Sequence, residues 1–104
     1  MIRSVTRLIK NCLKNYFKIF LVEIDGFSLW PELKPGEIYL GSNKVNKLKI
    51  GDYIIFSQDQ DIFIKKLVYI GDNFLILQSL FDKKIYLVNK NQVLGKIIKN
   101  FKIN

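Results

Sequence analysis

Tyr53-Ile54-Ile55-Phe56-Ser57-Gln58-Asp59-Gln60-Asp61-Ile62-Phe63-Ile64-Lys65-Lys66-Leu67-Val68-Tyr69-Ile70 fills the middle of the chain, and its reading decides the fold. Two runs rich in β-branched and aromatic residues, 53–56 and 62–70, flank the polar stretch 57–60. That is the pattern of a β-hairpin with its loop at 57–60. Working outward, Gly71-Asp72-Asn73 ends the second strand, and similar apolar runs follow at 74–80, 85–88 and 93–98. Toward the N-terminus, Ile19-Phe20-Leu21-Val22-Glu23-Ile24 reads as one more strand. Lys34-Pro35-Gly36-Glu37 has Pro and Gly at the centre of a turn, which suits type II geometry. Short strands separated by tight polar turns argue for a mainly β protein, a small roll or barrel-like domain over residues 19–104. Alternating βαβ units are not indicated, and no repeat or linker interrupts the domain.

Residues 1–18 follow a different period. Ile2, Val5, Leu8, Ile9, Cys12, Leu13, Tyr16 and Phe17 recur at helical steps, with Arg3, Arg7, Lys10, Lys14 and Lys18 on the opposite face. The expectation is one basic amphipathic α-helix preceding the β domain. Charge interrupts it too often for a bilayer span or the apolar core of a signal peptide. Its plainer role is to pack on the domain. The sharper one is to lie on an anionic membrane surface, where apolar burial and lysine attraction add. Nucleic acid ranks third, because no helix-turn-helix pattern or polar reading face accompanies the basic side chains.

Composition narrows the chemistry. The 104 residues suffice for one domain and carry a formal charge of +8. That charge divides into +5 over residues 1–22, −3 over 23–82 and +6 over 83–104. Basic ends therefore flank a mildly acidic middle. The chain has no histidine, one cysteine and no alanine. Histidine-dependent catalysis and His-ligated zinc are excluded, and lone Cys12 can build neither an internal disulfide nor a thiolate metal site. No metal or other cofactor is expected.

The stretch Asp25-Gly26-Phe27-Ser28-Leu29-Trp30-Pro31-Glu32-Leu33-Lys34-Pro35-Gly36-Glu37 sits where a strand stops and a turn begins. A serine just past a glycine bend, with backbone N–H groups nearby, meets the requirements of a nucleophile with an oxyanion hole. Most loop serines only cap a turn. A serine nucleophile also needs a base, and without histidine the candidates are carboxylates and lysine. Lysine serves only if burial lowers its pKa. The run 62–70 places Lys65 on the face of Phe63, Leu67 and Tyr69, and Lys66 on that of Ile62, Ile64 and Val68. Alternation puts one lysine in apolar surroundings without choosing which. Without the serine, the simpler reading would be lysines at a sheet edge.

Taken together, the two features resemble the Ser/Lys peptidases that include LexA-like repressors, their mutagenesis-protein relatives and type I signal peptidases. Their G-x-S-M-x-P motif is matched by Gly26-Phe27-Ser28-Leu29-Trp30-Pro31, and their L-x-x-G-D-x-V run by Leu33-Lys34-Pro35-Gly36-Glu37-Ile38. Gly51-Asp52-Tyr53-Ile54 matches a second motif, and Ile64-Lys65-Lys66-Leu67 matches the lysine motif. Val93-Leu94-Gly95-Lys96-Ile97-Ile98 resembles the closing strand. The resemblance spans about residues 20–100 and suits the compact, LexA-like branch.

It implies a serine endopeptidase with Ser28 as nucleophile and Lys65 as base, and it sets Phe27, Leu29 and Trp30 about the substrate. Leu29 replaces the family's methionine, Phe27 its usual Asp or Gly, and Glu37 its aspartate. The signal-peptidase box with a second serine and an arginine is absent. The family cleaves after small residues, often alanine. A chain without alanine, in which Cys12 precedes Leu13, lacks the usual self-cleavage site, so the expected substrate is another protein or leader peptide. The expected location is the cytoplasm or, through the basic helix, the inner face of a membrane. The rival expectation is a non-catalytic β-barrel that binds an anionic membrane or nucleic acid through its basic ends, with Ser28 a turn residue and Lys65 an edge lysine.

Overall fold

The computed structural model describes residues 19–100. The helix expected over 1–18 and the last four residues of the expected domain lie outside them. The chain forms β1 (Ile19–Glu23), β2 (Ile38–Ser42), β3 (Tyr53–Gln58), β4 (Asp61–Ile70), β5 (Phe74–Gln78), β6 (Ile85–Asn89) and β7 (Val93–Asn100). A 3-10 turn, Lys90–Gln92, leads into β7. All seven strands join one antiparallel sheet in the order β1-β2-β7-β3-β4-β5-β6. The mainly β expectation holds. No helix among the described residues is long and apolar enough to cross a membrane.

The deciding hairpin is tighter than its sequence pattern suggests. Pairing runs from Tyr53↔Lys66 to Gln58↔Asp61, so the loop is only Asp59 and Gln60, not 57–60. Both adopt positive φ, 52° and 71°, which gives the two-residue connection the twist that flanking strands require. Polar side chains at 57 and 58 signalled a loop, yet they occupy half-buried strand positions with their backbone still paired. The run 74–80 likewise stops as a strand at Gln78.

One strand escaped the sequence reading altogether. Ile38-Tyr39-Leu40-Gly41-Ser42 holds only three consecutive apolar residues before Gly41, too little for an alternation signal. The structure makes it β2, paired with β1 on one side and β7 on the other. Gly41 is there for space, since a Cβ would stand 2.6 Å from a Phe20 ring carbon. The turn before it matches its expected form, with Gly36 at φ 86° and Glu37 N–H donating to Lys34 O at 3.2 Å. Ile24 and Gly36–Glu37 then exchange backbone bonds beyond the strand ends, which carries the β1–β2 pairing up to the serine segment.

Alternation divides the core. Val22, Ile24, Leu29, Leu33, Ile55 and Ile64 pack together in one cluster, and Ile54, Phe56, Leu67, Leu75, Leu77 and Val88 in a second. Strand β3 feeds both, Ile55 to the first and Ile54 with Phe56 to the second, as a two-sided central strand must. β1 and β6 are the two ends of the strand order. The segment after β1 spans the distance to the end of β5, where Leu80 N–H and Phe81 N–H donate to Ser28 O at 2.6 and 2.9 Å. This bridge carries Ser28 across the molecule to β4.

Candidate active site

Ser28 is set by the turn that contains it. Gly26 takes φ 103°, a left-handed conformation open to glycine and strained for other residues, and the chain reverses there. Trp30 N–H donates to Phe27 O and Leu33 N–H to Leu29 O, each at 2.9 Å, which winds residues 27–33 into consecutive turns. Leu29 and Leu33 anchor those turns in the first core cluster. With its carbonyl fixed by residues 80 and 81, Ser28 is held from both sides. Its own N–H makes no hydrogen bond to any described residue.

Lys65 is set by the sheet. β4 lies between β3 and β5, so Lys65 is not an edge residue, and its side chain is only 2% exposed. Gly51 N–H donates to Leu67 O at 2.8 Å and Leu67 N–H to Asp52 O at 2.7 Å, so the Gly51-Asp52 pair fixes the local register of β4. The Lys65 ammonium lies 4.9 Å from the Tyr86 ring centroid and 5.9 Å from that of Phe63. Across this setting Lys65 Nζ donates to Ser28 Oγ at 3.1 Å. Residues 37 apart in sequence thus meet within hydrogen-bond reach.

Burial pushes the Lys65 ammonium down to about 8 from its ordinary 10.5. The Asp82 carboxylate opposes that fall, and the Lys84 ammonium adds to it. At pH 7 roughly a tenth of such lysines are neutral and able to take a proton.

Lys66, the alternative by periodicity, faces the other way. Its ammonium pairs with both carboxylate oxygens of Glu32 at 3.0 and 3.1 Å. Tyr53 O–H also bonds Glu32, and these two donors, the tyrosine foremost, hold the Glu32 carboxyl below its usual range. Lys66 is an ion-paired, partly exposed lysine; Lys65 is the buried one.

The other expected site residues separate. Phe27 and Trp30 are exposed at the serine turn, with ring centroids 6.0 Å apart in an edge-on arrangement. Leu29 is fully buried in the core, so in this structure it shapes the turn from beneath and offers no surface to a substrate. Its apolar character fits either role, which is why the motif alone did not separate them.

Two features of the site had not been singled out. Ser79 continues the β5 register beyond Gln78, which pairs with Lys66, and so falls opposite Lys65. It is fully buried, and its hydroxyl has no hydrogen-bond partner in geometric reach among the described residues. Close to this strand end, the Asp82 carboxyl is held below its usual range, first by the Lys84 N–H and then by the Lys65 ammonium. The available signal was one small polar residue between Gln78 and Leu80, past the apolar run Phe74-Leu75-Ile76-Leu77. The second feature is Tyr86, on β6, which gave no sequence signal because its neighbours Ile85 and Leu87 are apolar yet exposed. Compared with known proteins, the chain matches no family profile, no curated protein and no solved structure.

Proposed function

We propose that the chain is a serine endopeptidase that works through a Ser28–Lys65 dyad. The observation that carries this reading is the 3.1 Å contact between Ser28 Oγ and the Nζ of a lysine buried without a carboxylate partner. In the neutral state Lys65 accepts the Ser28 hydroxyl proton as Oγ attacks a peptide carbonyl. The free Ser28 N–H is a donor available to the oxyanion that forms. The lysine ammonium then protonates the leaving amine, which leaves an ester on Ser28 and restores the neutral base. A water molecule gives Lys65 its proton, attacks the ester and releases the acid product, and the proton returns to Ser28 Oγ. Every step uses one proton shuttled by one group, and no metal or cofactor enters.

The resemblance to the LexA-like and signal-peptidase group supports a scissile bond that follows small residues. The absence of alanine supports a substrate other than the chain itself. Residues 1–18 are proposed to hold the enzyme on the inner face of an anionic membrane from the cytoplasmic side.

The test compares wild type with Ser28→Ala and Lys65→Ala on a peptide library rich in small residues, read by mass spectrometry. Cleavage is expected from wild type and neither variant. Cleavage that survives either substitution rejects the dyad.

A further inference from the structure

Four aromatic side chains stand exposed on the described surface, and three of them belong to the two segments that meet at Ser28. Phe27, Trp30 and Phe81 are 57%, 41% and 66% exposed. Phe27 precedes Ser28, Trp30 lies two residues beyond it, and Phe81 donates its N–H to Ser28 O. Their exposure is not a shortage of core. The same two segments bury Leu29 and Leu33 and pack Leu80 against the first cluster. The three rings are therefore apolar surface beyond what folding uses, with those of Phe27 and Trp30 6.0 Å apart and that of Phe81 on the residue whose backbone is bonded to Ser28, and exposed apolar surface gathered at one place marks a binding site.

Resting on the peptidase reading, we infer that Phe27, Trp30 and Phe81 form an aromatic rim that selects extended peptides with large apolar side chains beside the bond offered to Ser28. A small residue before that bond suits the close approach of the carbonyl to Oγ. The flanking positions lie over the rings, and each apolar side chain that settles there removes ring surface from water together with its own. A polar flank gains neither. The rim sets affinity and KM, while the dyad sets the chemical step.

The test uses Ser28→Ala protein, which binds without turnover, and two synthetic peptides of equal length. One has its central Ala-Ala flanked by Leu and Phe, the other by Ser and Asn. Trp30 is the chain's one tryptophan, so its emission reports on the rim directly. The apolar peptide is expected to shift that emission to shorter wavelength and to bind roughly tenfold or more tightly than the polar one. Adding Phe81→Ala should weaken the apolar peptide roughly tenfold and leave the polar one unchanged, with Phe81→Leu recovering much of the loss. Calorimetric titration reads the same affinities without relying on Trp30. Equal binding of the two peptides, or an equal effect of Phe81→Ala on both, overturns the rim. Wild-type protein separates this failure from that of the dyad. If it cleaves both peptides with equal kcat/KM, the rim falls and the peptidase stands. If it cleaves neither while Ser28→Ala protein still prefers the apolar peptide, the rim stands and the peptidase falls.

Discussion

A buried lysine with no carboxylate partner among the described residues makes the fold weaker, and that cost is measurable without any substrate. Lys65 is 2% exposed and its pKa falls from 10.5 to about 8. Below pH 8 the ammonium is charged in both folded and unfolded chains, and the full penalty of burying it applies. Between pH 8 and 10.5 the folded chain has lost the proton that the unfolded chain still holds, so stability rises with pH. Above 10.5 both are neutral and the penalty is gone. The fall in pKa sets an upper bound of about 3 kcal/mol at neutral pH. Half-buried Ser28 lets solvent screen one side of the ammonium, and the bond to Ser28 offsets part of the rest, so roughly 1–2 kcal/mol should remain. Lys65→Met keeps the length and apolar stem of the side chain and removes the charge. The variant should gain that amount at pH 7, a rise in Tm of about 5–10 °C for a domain of this size. The assay is urea denaturation of both proteins at pH 7, 9 and beyond 10.5, taken as a difference so that other groups cancel. A gain that fades as pH rises through the 8–10.5 window supports the placement. A variant less stable than wild type at pH 7, or a difference flat across that window, refutes the buried, carboxylate-free lysine on which the dyad depends.

Two further outcomes follow from named contacts. If neutral Lys65 is the base, kcat/KM should rise with pH along an acid limb near 8; Lys84→Gln removes a like charge and should move the limb up, whereas Asp82→Asn should move it down, as pH–rate profiles would read. Limbs unmoved by either change would detach the chemistry from Lys65. In β7, a Cβ on Gly95 would stand 2.5 Å from Ser42 O, a backbone atom that cannot swing aside, so Gly95→Ala should cost roughly 1–3 kcal/mol in chemical denaturation.

Much of this was legible in the residues, and the misses have physical causes. The apolar run 53–56 announced β3, whose Ile54, Ile55 and Phe56 are buried, because burial on both faces demands uninterrupted apolar sequence; β4 and β7 showed through β-branched residues on either side of their lysines. β2 was silent because its Gly41 is chosen for the nearby Phe20 ring, and a spatial constraint of that kind leaves no periodic trace. The hairpin loop was read too long because Ser57 and Gln58 are polar by side chain while their backbones remain in the ladder. Leu29 was assigned to the substrate side because the motif fixes residue type, not the direction in which the turn points it.

The choice between Lys65 and Lys66 shows where sequence pattern stops and packing begins. The two are adjacent in one strand, so the pleat sends them to opposite faces and guarantees different fates, but periodicity says nothing about what covers each face. The covering elements come from elsewhere in the chain. The serine turn brings Glu32 to Lys66, at 3.0 Å, and Ser28 Oγ to Lys65, at 3.1 Å. A lysine kept for stability resembles Lys66, with its charge met by a carboxylate near the surface. No described carboxylate lies within ion-pair distance of Lys65, although Asp82 is close enough to oppose its loss of charge. A carboxylate in contact would hold the ammonium charged and make it useless as a base; a hydroxyl does not. Lys65 thus has a partner compatible with losing its proton, as the proposed dyad requires, and lacks the carboxylate that would have held it charged.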